Sequence, residues 1–385
     1  MLNKAVLLVS CLGFLLFPSL QADTALPKVH LERVPGGGIQ PQTVVDKHGT
    51  VHLVYFKGDP SAGDLFYARS SNGSTFSTPV RVNSVPGSAI AVGTIRGPRI
   101  AVGRRGRVYV AWNGSRKVFA PGGQRSPMLF ARLNSQGTAF EPERNLIHEV
   151  TGVDGGGGIA ADQRGDVYVF WHAPMPGKTG ENNRRVWMAK SENDGKTFAP
   201  ERIIWNEPTG ACACCSLTAF ANNAGTLFVL FRSAEQMVHR DIYLLESQDH
   251  GRTFRGSDAS KWNVGYCVMS SEAFAANSNQ TFAAWETEKR VHFGRISPAN
   301  ATVADLNLPD PGTDQKYPSL ATGRAGLLLV SWTEGMGWKR GGSLHWQLFD
   351  SALHPVGKPG SAAGVPIWSL PAAYPLADGS FGILY

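Results

Sequence analysis

Charge is scarce in this sequence: Asp, Glu, Lys and Arg make up 17% of it, and the 37 basic residues never gather into a block. That scatter excludes a nucleic-acid groove, which needs Lys and Arg concentrated on one face. A bilayer-spanning run is also missing, since the apolar stretch at residues 5–17 covers roughly 13 positions where about 20 are needed. With Lys4 before it, Pro18 after it and the small Ala22 beyond, the stretch reads as a cleaved signal peptide over 1–22. Leu8-Val9-Ser10-Cys11 has the look of a lipoprotein box, but the apolar run continues past Cys11 and would place cleavage too early. The mature chain, 23–385, is therefore expected in the secreted or periplasmic space, with no membrane insertion. Removing Lys4 takes the formal charge from +7 to +6 (+7 − 1), which names no partner. Hydrophobic content of 42% argues against disorder. The low charge and 44 glycines suit strands and tight turns better than helices.

What the sequence does contain is a repeat. A glycine, a β-rich run and an aromatic six positions on recur as Gly49 to Tyr55, Gly106 to Trp112, Gly165 to Trp171 and Gly225 to Phe231. The series continues with Asn279 to Trp285, Gly326 to Trp332 and Gly379 to Tyr385. The spacing of roughly 50 to 60 residues holds four short strands and their turns, the size of one propeller blade. First strands are expected at 99–102 and 217–221, third strands at 64–69 and 241–246, and a fourth at 80–82. The seventh unit ends at Tyr385 with two strands, while residues 29–34 offer an orphan strand near the other end. Pairing the two removes the open edges of a linear array. The expectation is an all-β, single β-propeller of four-stranded antiparallel blades. It has seven blades, or six if the last hairpin packs elsewhere, in a ring closed by the N-terminal strand.

Two segments read S-x-(D/N)-x-G-x-T-F: Ser191 to Phe198 and Ser247 to Phe254, with degraded copies at Asn72 to Phe76 and Gly137 to Phe140. A short polar side chain bonds the turn backbone, glycine takes the positive-φ position and the aromatic packs beneath. Asp194 and Asp249 are read as turn formers. The motif resembles the Asp-box (BNR) repeat of the sialidase, or neuraminidase, superfamily. Strand direction alternates within a blade, so the starts of first strands and the ends of second strands reach one face near the axis, where function is expected; the resemblance implies the same propeller. It also implies several arginines holding a carboxylate, an acid, and a tyrosine nucleophile paired with a glutamate.

On that face fall Arg96, Arg99, Asp154 with Gly155 to Gly158, Cys212 to Cys215, Cys267, Met269, Glu272, Lys316 and Tyr317, with Asn113, His172, Arg232, Glu286 and Thr333 following the aromatics. The resemblance assigns Arg96 or Arg99 and Arg232 to the arginine clamp, Glu272 to the base, Asp154 to the acid and Tyr317 to the nucleophile. The family's first arginine lies in Phe/Tyr-Arg-Ile-Pro, whereas this chain has Gly97-Pro98-Arg99-Ile100-Ala101. A third arginine is not supplied, so sialoside hydrolysis is expected to be weak or absent. A buried Glu272 needs a cation, and Arg232 is the candidate.

Aligning Ser216 to Phe220 with Ser270 to Phe274 brings Cys212, Cys214, Cys215 and Cys267 together at the axis. In an oxidising compartment the first reading is disulfides between neighbouring blades. The second is a soft-metal site, with Met269 completing a copper(I) set. No cofactor is otherwise expected. Three functions stay open: a glycoside hydrolase of exo-sialidase type, a non-catalytic propeller that binds a glycan, glycoconjugate or protein, and a periplasmic copper-binding propeller. A monomer is expected.

Overall fold

Each sequence repeat folds as one sheet whose strands pair in chain order. The structure is a computed structural model that describes residues 26–119, 126–298, 300–309, 312 and 314–385. The leader at 1–22, with Cys11, lies outside the described residues. The first blade is Ile39–Val45, Val51–Asp59, Ala62–Ser70 and Val80–Arg81, and the second Arg99–Val102, Val108–Asn113, Met128–Arg132 and Arg144–Asn145. The third is Gly158–Ala161, Val167–Pro174, Arg184–Ser191 and Arg202–Ile203, and the fourth Leu217–Ala221, Leu227–Arg232, Ile242–Ser247 and Arg255–Ser260. In the fifth, Ala273–Ala276, Thr281–Thr287 and Arg290–Ser297 are followed by two short outer strands, Thr302–Val303 and Leu306–Asn307. Lys316–Thr322, Leu328–Glu334, Gly342–Phe349 and Pro355–Val365 form the sixth, and Ala372–Pro375 with Phe381–Leu384 begin the seventh.

The second strands are buried on both faces, as all six residues of Val108–Asn113 show. Each sheet is thus packed between two others, and the core consists of seven apolar clusters, one at each blade-to-blade junction. The repeat aromatic always faces the preceding blade. Trp112 packs with Val54 and Phe56, Trp171 with Tyr109 and Phe130, and Trp285 with Phe228 and Leu244. The glycine turn that precedes it needs a left-handed residue: Gly165 has φ 99°. Asp162 secures that turn by accepting from the backbone N–H of Arg164, Gly165 and Asp166 at 2.9–3.1 Å.

The expected closure is present, with seven blades. Val29–Glu32 pairs with Phe381–Leu384, Leu31 opposite Ile383, and makes the seventh sheet three-stranded. The pairing is parallel, because Glu32 must finish at the end of the ring where the first strand of the first blade begins. Residues 33–38, containing the 3-10 turn Pro35–Gly37, then suffice as the connection.

The two S-x-(D/N)-x-G-x-T-F segments are turns after third strands, at the end of the ring opposite the candidate site. Ser247 Oγ accepts from Gly251 N–H at 2.9 Å and Asp249 Oδ1 from Thr253 N–H at 2.9 Å. In the other copy Asn193, not Asp194, accepts from Thr197 N–H at 2.9 Å. Asp194 sits at the left-handed position (φ 59°) and pairs with Arg104 at 2.7 Å, which corrects its reading as the turn former. Among the described residues no helix is long and apolar enough to cross a membrane.

Candidate functional site

Loops entering the inner strands from successive blades meet at one end of the axis. Several do so through non-glycine residues with positive φ: Gln40 (52°), Thr94 (73°), Met269 (49°), Tyr317 (54°) and Trp368 (58°). Such backbone costs of order 1–3 kcal/mol per residue and persists where packing over-determines it. Here the packing is a plug. Residues 91–96 cross the axis, where Gln40 Nε2 donates to the carbonyls of Ala91 (2.5 Å) and Trp368 (2.8 Å). The glycines after Asp154 admit the close approach this requires: a side chain on Gly155 would collide with the Cys215 carbonyl, and one on Gly156 with the Ile95 carbonyl.

The plug divides the candidates. On its outer side, Arg96 Nη2 pairs with Asp154 Oδ1 at 2.7 Å, its Nε donates to the Asp154 carbonyl at 2.7 Å and its Nη1 to the Val92 carbonyl at 2.8 Å. The Asp154 side chain remains 45% exposed. Trp338, 58% exposed, stands edge-on to Trp368 at 5.8 Å. The side chains of Trp338, Met269 and Arg96 surround Gly93, so the aromatic ledge adjoins the ion pair.

On the inner side, Arg99 and Glu272 are buried at the end of an axial channel of about 490 Å³ lined by the first strands of all seven blades. Turn residues Asp46, Lys47, His48, Gln163 and Asn223 line its other end. Burial takes the Arg99 guanidinium down to about 10 against the pull of Glu272, and burial beside Cys215 holds the Glu272 carboxyl well above its usual range. Ser216 Oγ donates to Glu272 at 2.9 Å.

Arg232 lies in neither space. It is 1% exposed; Nε donates to Ser270 Oγ at 2.8 Å, and its two terminal nitrogens donate to the Arg240 and Glu286 carbonyls. Trp262 covers it at 5.1 Å. Tyr317 is 5% exposed among Ile95, Met336 and Leu344, and burial raises its phenol. Among the described residues no hydrogen bond joins Tyr317 to Glu272. Lys316 pairs instead with the buried Glu286 at 3.4 Å and donates to the Val268 carbonyl at 2.5 Å.

Four of the polar residues that follow the aromatics share a task not legible in their identities alone: they reach into the loop that enters the next blade, whereas Thr333 donates to the Lys316 carbonyl of its own blade at 3.1 Å. Asn113 Nδ2 donates to the Gly155 carbonyl at 2.7 Å, His172 Nε2 to the Cys215 carbonyl at 3.0 Å, Arg232 to Ser270, and Glu286 holds Lys316. Burial, with Arg184 beside it, takes His172 down to about 3, so it is neutral.

The cysteines do meet. Cys214 and Cys267 form a disulfide joining the loops that enter the fourth and fifth blades, and Cys267 is exposed. Cys212 and Cys215 are free thiols buried beneath it with Trp262 and Val268. Three sulfurs, of Cys212, Cys214 and Cys215, lie within 4.8 Å of one another. A three-thiolate copper set drawn from them would first require reduction of the bridge.

No protein-family model and no curated protein sequence matches the chain. Among solved structures it is similar to Penicillium chrysogenum α-L-arabinanase complexed with arabinobiose (11% identity, TM-score 0.55, 86% of this chain and 99% of that one). It is also similar to a leech intramolecular trans-sialidase (8%, TM-score 0.52, 91% and 86%). A third likeness is to Trypanosoma rangeli sialidase in complex with sialic acid (10%, TM-score 0.52, 92% and 59%). At such identities the likeness is one of fold: the chain is a seven-bladed β-propeller whose structural neighbours are mostly sialidases, with an arabinanase among them.

Proposed function

We propose that this chain is an exported glycan-binding propeller whose ligand rests on the outer side of the plug, and that it binds without hydrolysing sialosides. The observation that carries the reading is the exposed Trp338 beside the Arg96–Asp154 pair. An open indole offers a flat apolar face with an N–H at its edge, and a half-exposed carboxylate accepts from sugar hydroxyls. All three nitrogens of Arg96 already have acceptors, as do those of Arg232. Recognition through hydroxyl groups is therefore favoured over an arginine clamp on a carboxylate. The burial of Tyr317 and its lack of a hydrogen bond to Glu272 weigh against the tyrosine mechanism. Structural neighbours that include an arabinanase with a bound arabinobiose support a sugar as the ligand class.

The test is calorimetric titration of neutral and sialylated oligosaccharides against wild type, Trp338→Ala and Asp154→Asn. Binding of neutral glycans, lost with Trp338, is expected. Turnover of a fluorogenic sialoside that disappears in Tyr317→Phe would overturn the reading in favour of an exo-sialidase.

A further inference from the structure

Beneath the exposed disulfide lies chemistry that a glycan platform does not use. The Cys212 and Cys215 sulfurs are 2.6 Å apart, well inside non-bonded contact and within about 0.6 Å of a disulfide bond. Cys212 Sγ also stands 3.6 Å from Cys214 Sγ, one end of the bridge. The four sulfurs thus form a continuous path from a buried dithiol to the exposed Cys267. We propose that they constitute a thiol–disulfide exchange centre, in which electrons of the buried Cys212/Cys215 pair reach an external dithiol or disulfide only through the Cys214–Cys267 bridge. The inference does not depend on what the ledge binds.

The chemistry balances within the chain. The Cys215 thiolate takes the proton of Cys212 as the Cys212 sulfur attacks Cys214. The Cys212–Cys214 bond forms as the Cys214–Cys267 bond breaks, and the electron pair leaves on Cys267, which takes a proton from solvent. Cys215 then loses its proton to water and attacks Cys212; the Cys212–Cys215 bond forms and Cys214 leaves as a thiolate and is protonated. Cys212 and Cys215 are oxidised, Cys214 and Cys267 reduced. An external disulfide then re-oxidises the surface pair and departs as two thiols, leaving both bridges in place.

The surroundings hold Cys215 as the thiolate and Cys212 as the thiol, so Cys215 is the base at hand and the proton moves only as Cys212 attacks. Burial opposes the Cys215 thiolate, but the hydrogen bond from Cys212, the Arg232 charge and donors on Ser270 bring it down to about 6. Cys212, which gives that hydrogen bond and is buried, is held well above the usual thiol range. Arg240 and Lys316 add positive charge near Cys215, and Glu272 and Tyr317 face it as the acids. A thiolate formed inside the protein by neighbouring donors and cations is the mark of a reactive rather than an inert cysteine.

The experiment starts from protein that holds the Cys214–Cys267 bridge and the buried dithiol, with no reductant added, followed by iodoacetamide at neutral pH and mapping of the unreduced peptides. In wild type, exchange exposes a Cys267 thiol, so alkylated Cys267 should accumulate together with a Cys212–Cys215 bridge. In Cys212→Ser the sulfur that stands 3.6 Å from Cys214 is gone, and Cys267 labelling should fall at least about tenfold. Cys215→Ser removes the base and the second attack but leaves the Cys212 sulfur, so Cys267 should be labelled more slowly than in wild type and a Cys212–Cys214 bridge should be found. The second arm adds oxidised glutathione to reduced protein: Cys212 and Cys215 should be oxidised in wild type and remain thiols in a Cys214→Ser/Cys267→Ser variant. A Cys214–Cys267 bridge that never exchanges in wild type, or a buried pair oxidised equally well without the surface pair, would overturn the proposal.

Discussion

Replacing Arg232 with methionine separates two roles for one side chain, and its expected result is a loss of stability with ligand binding retained. The guanidinium spans three elements: its own blade through the Arg240 carbonyl, the next blade through Glu286, and the loop at Ser270. Methionine keeps most of the volume but leaves two buried carbonyls and a hydroxyl without their donors. A hydrogen bond from a charged group contributes roughly 1.5–3 kcal/mol. Three bonds sharing one group do not add, so about 4 kcal/mol is expected, the upper range for a single substitution. At about 2 °C per kcal/mol for a domain of this size, the thermal midpoint should fall by about 8 °C. Unfolding is followed by tryptophan fluorescence at fixed redox state, because the disulfide must stay intact in both proteins. The ligand affinity of folded Arg232→Met should match wild type. A midpoint within about 2 °C of wild type, together with lost binding, would refute this reasoning and return Arg232 to an open arginine clamp.

Other outcomes follow from the same structure. Glu272 is raised by burial from an unfolded value near about 4.3, so the native chain holds an extra proton above that pH; stability is fully present below it and falls as pH rises through the raised native value. Glu272→Gln should flatten the upper limb of a stability-against-pH curve, and an unchanged limb would show that the carboxyl ionises without cost. Deleting residues 26–34 removes the strand beside Phe381–Leu384 and re-exposes a sheet edge; aggregation or loss of cooperative unfolding is expected in light scattering and calorimetry. Ser247→Ala removes the acceptor for Gly251 N–H and should cost about 1 kcal/mol in urea unfolding, with no effect on binding at the opposite end of the ring.

The propeller was legible because its signals repeat. Gly106 to Trp112 predicts little alone, but six more copies at similar spacing leave few other architectures, and the blade-facing packing of Trp112, Trp171 and Trp285 explains why the aromatic recurs. The meeting of the cysteines was also readable, from the register of Ser216 to Phe220 against Ser270 to Phe274. The roles of Arg99 and Arg232 were not: Arg99 lies beneath a plug formed by residues 91–96, which has no periodic pattern, and Arg232 is held by Ser270, Arg240 and Glu286, which are scattered through two repeats. The same plug gives Gly156 its use, since a side chain there would meet the Ile95 carbonyl. Trp338 and Trp368 passed unnoticed because lone loop aromatics carry no spacing signal. A signal did exist for the inter-blade tethers: Asn113, His172, Arg232 and Glu286 occupy one position in successive repeats, and all are polar at the end of an apolar strand.

The parallel closure also fixes an order of events. Val29–Glu32 is made early and has its sheet partner in Phe381–Leu384, made hundreds of residues later, so the strand pairing that completes the ring is the most distant in sequence among the described residues. Blades can form as hairpins one after another, but none gains its second neighbour at the seam until the last repeat is available. Such long-range pairing slows folding and leaves apolar blade faces open in the interval. A chain held unfolded until most of it has been delivered, as during export across a membrane, spends the least time in that half-built state.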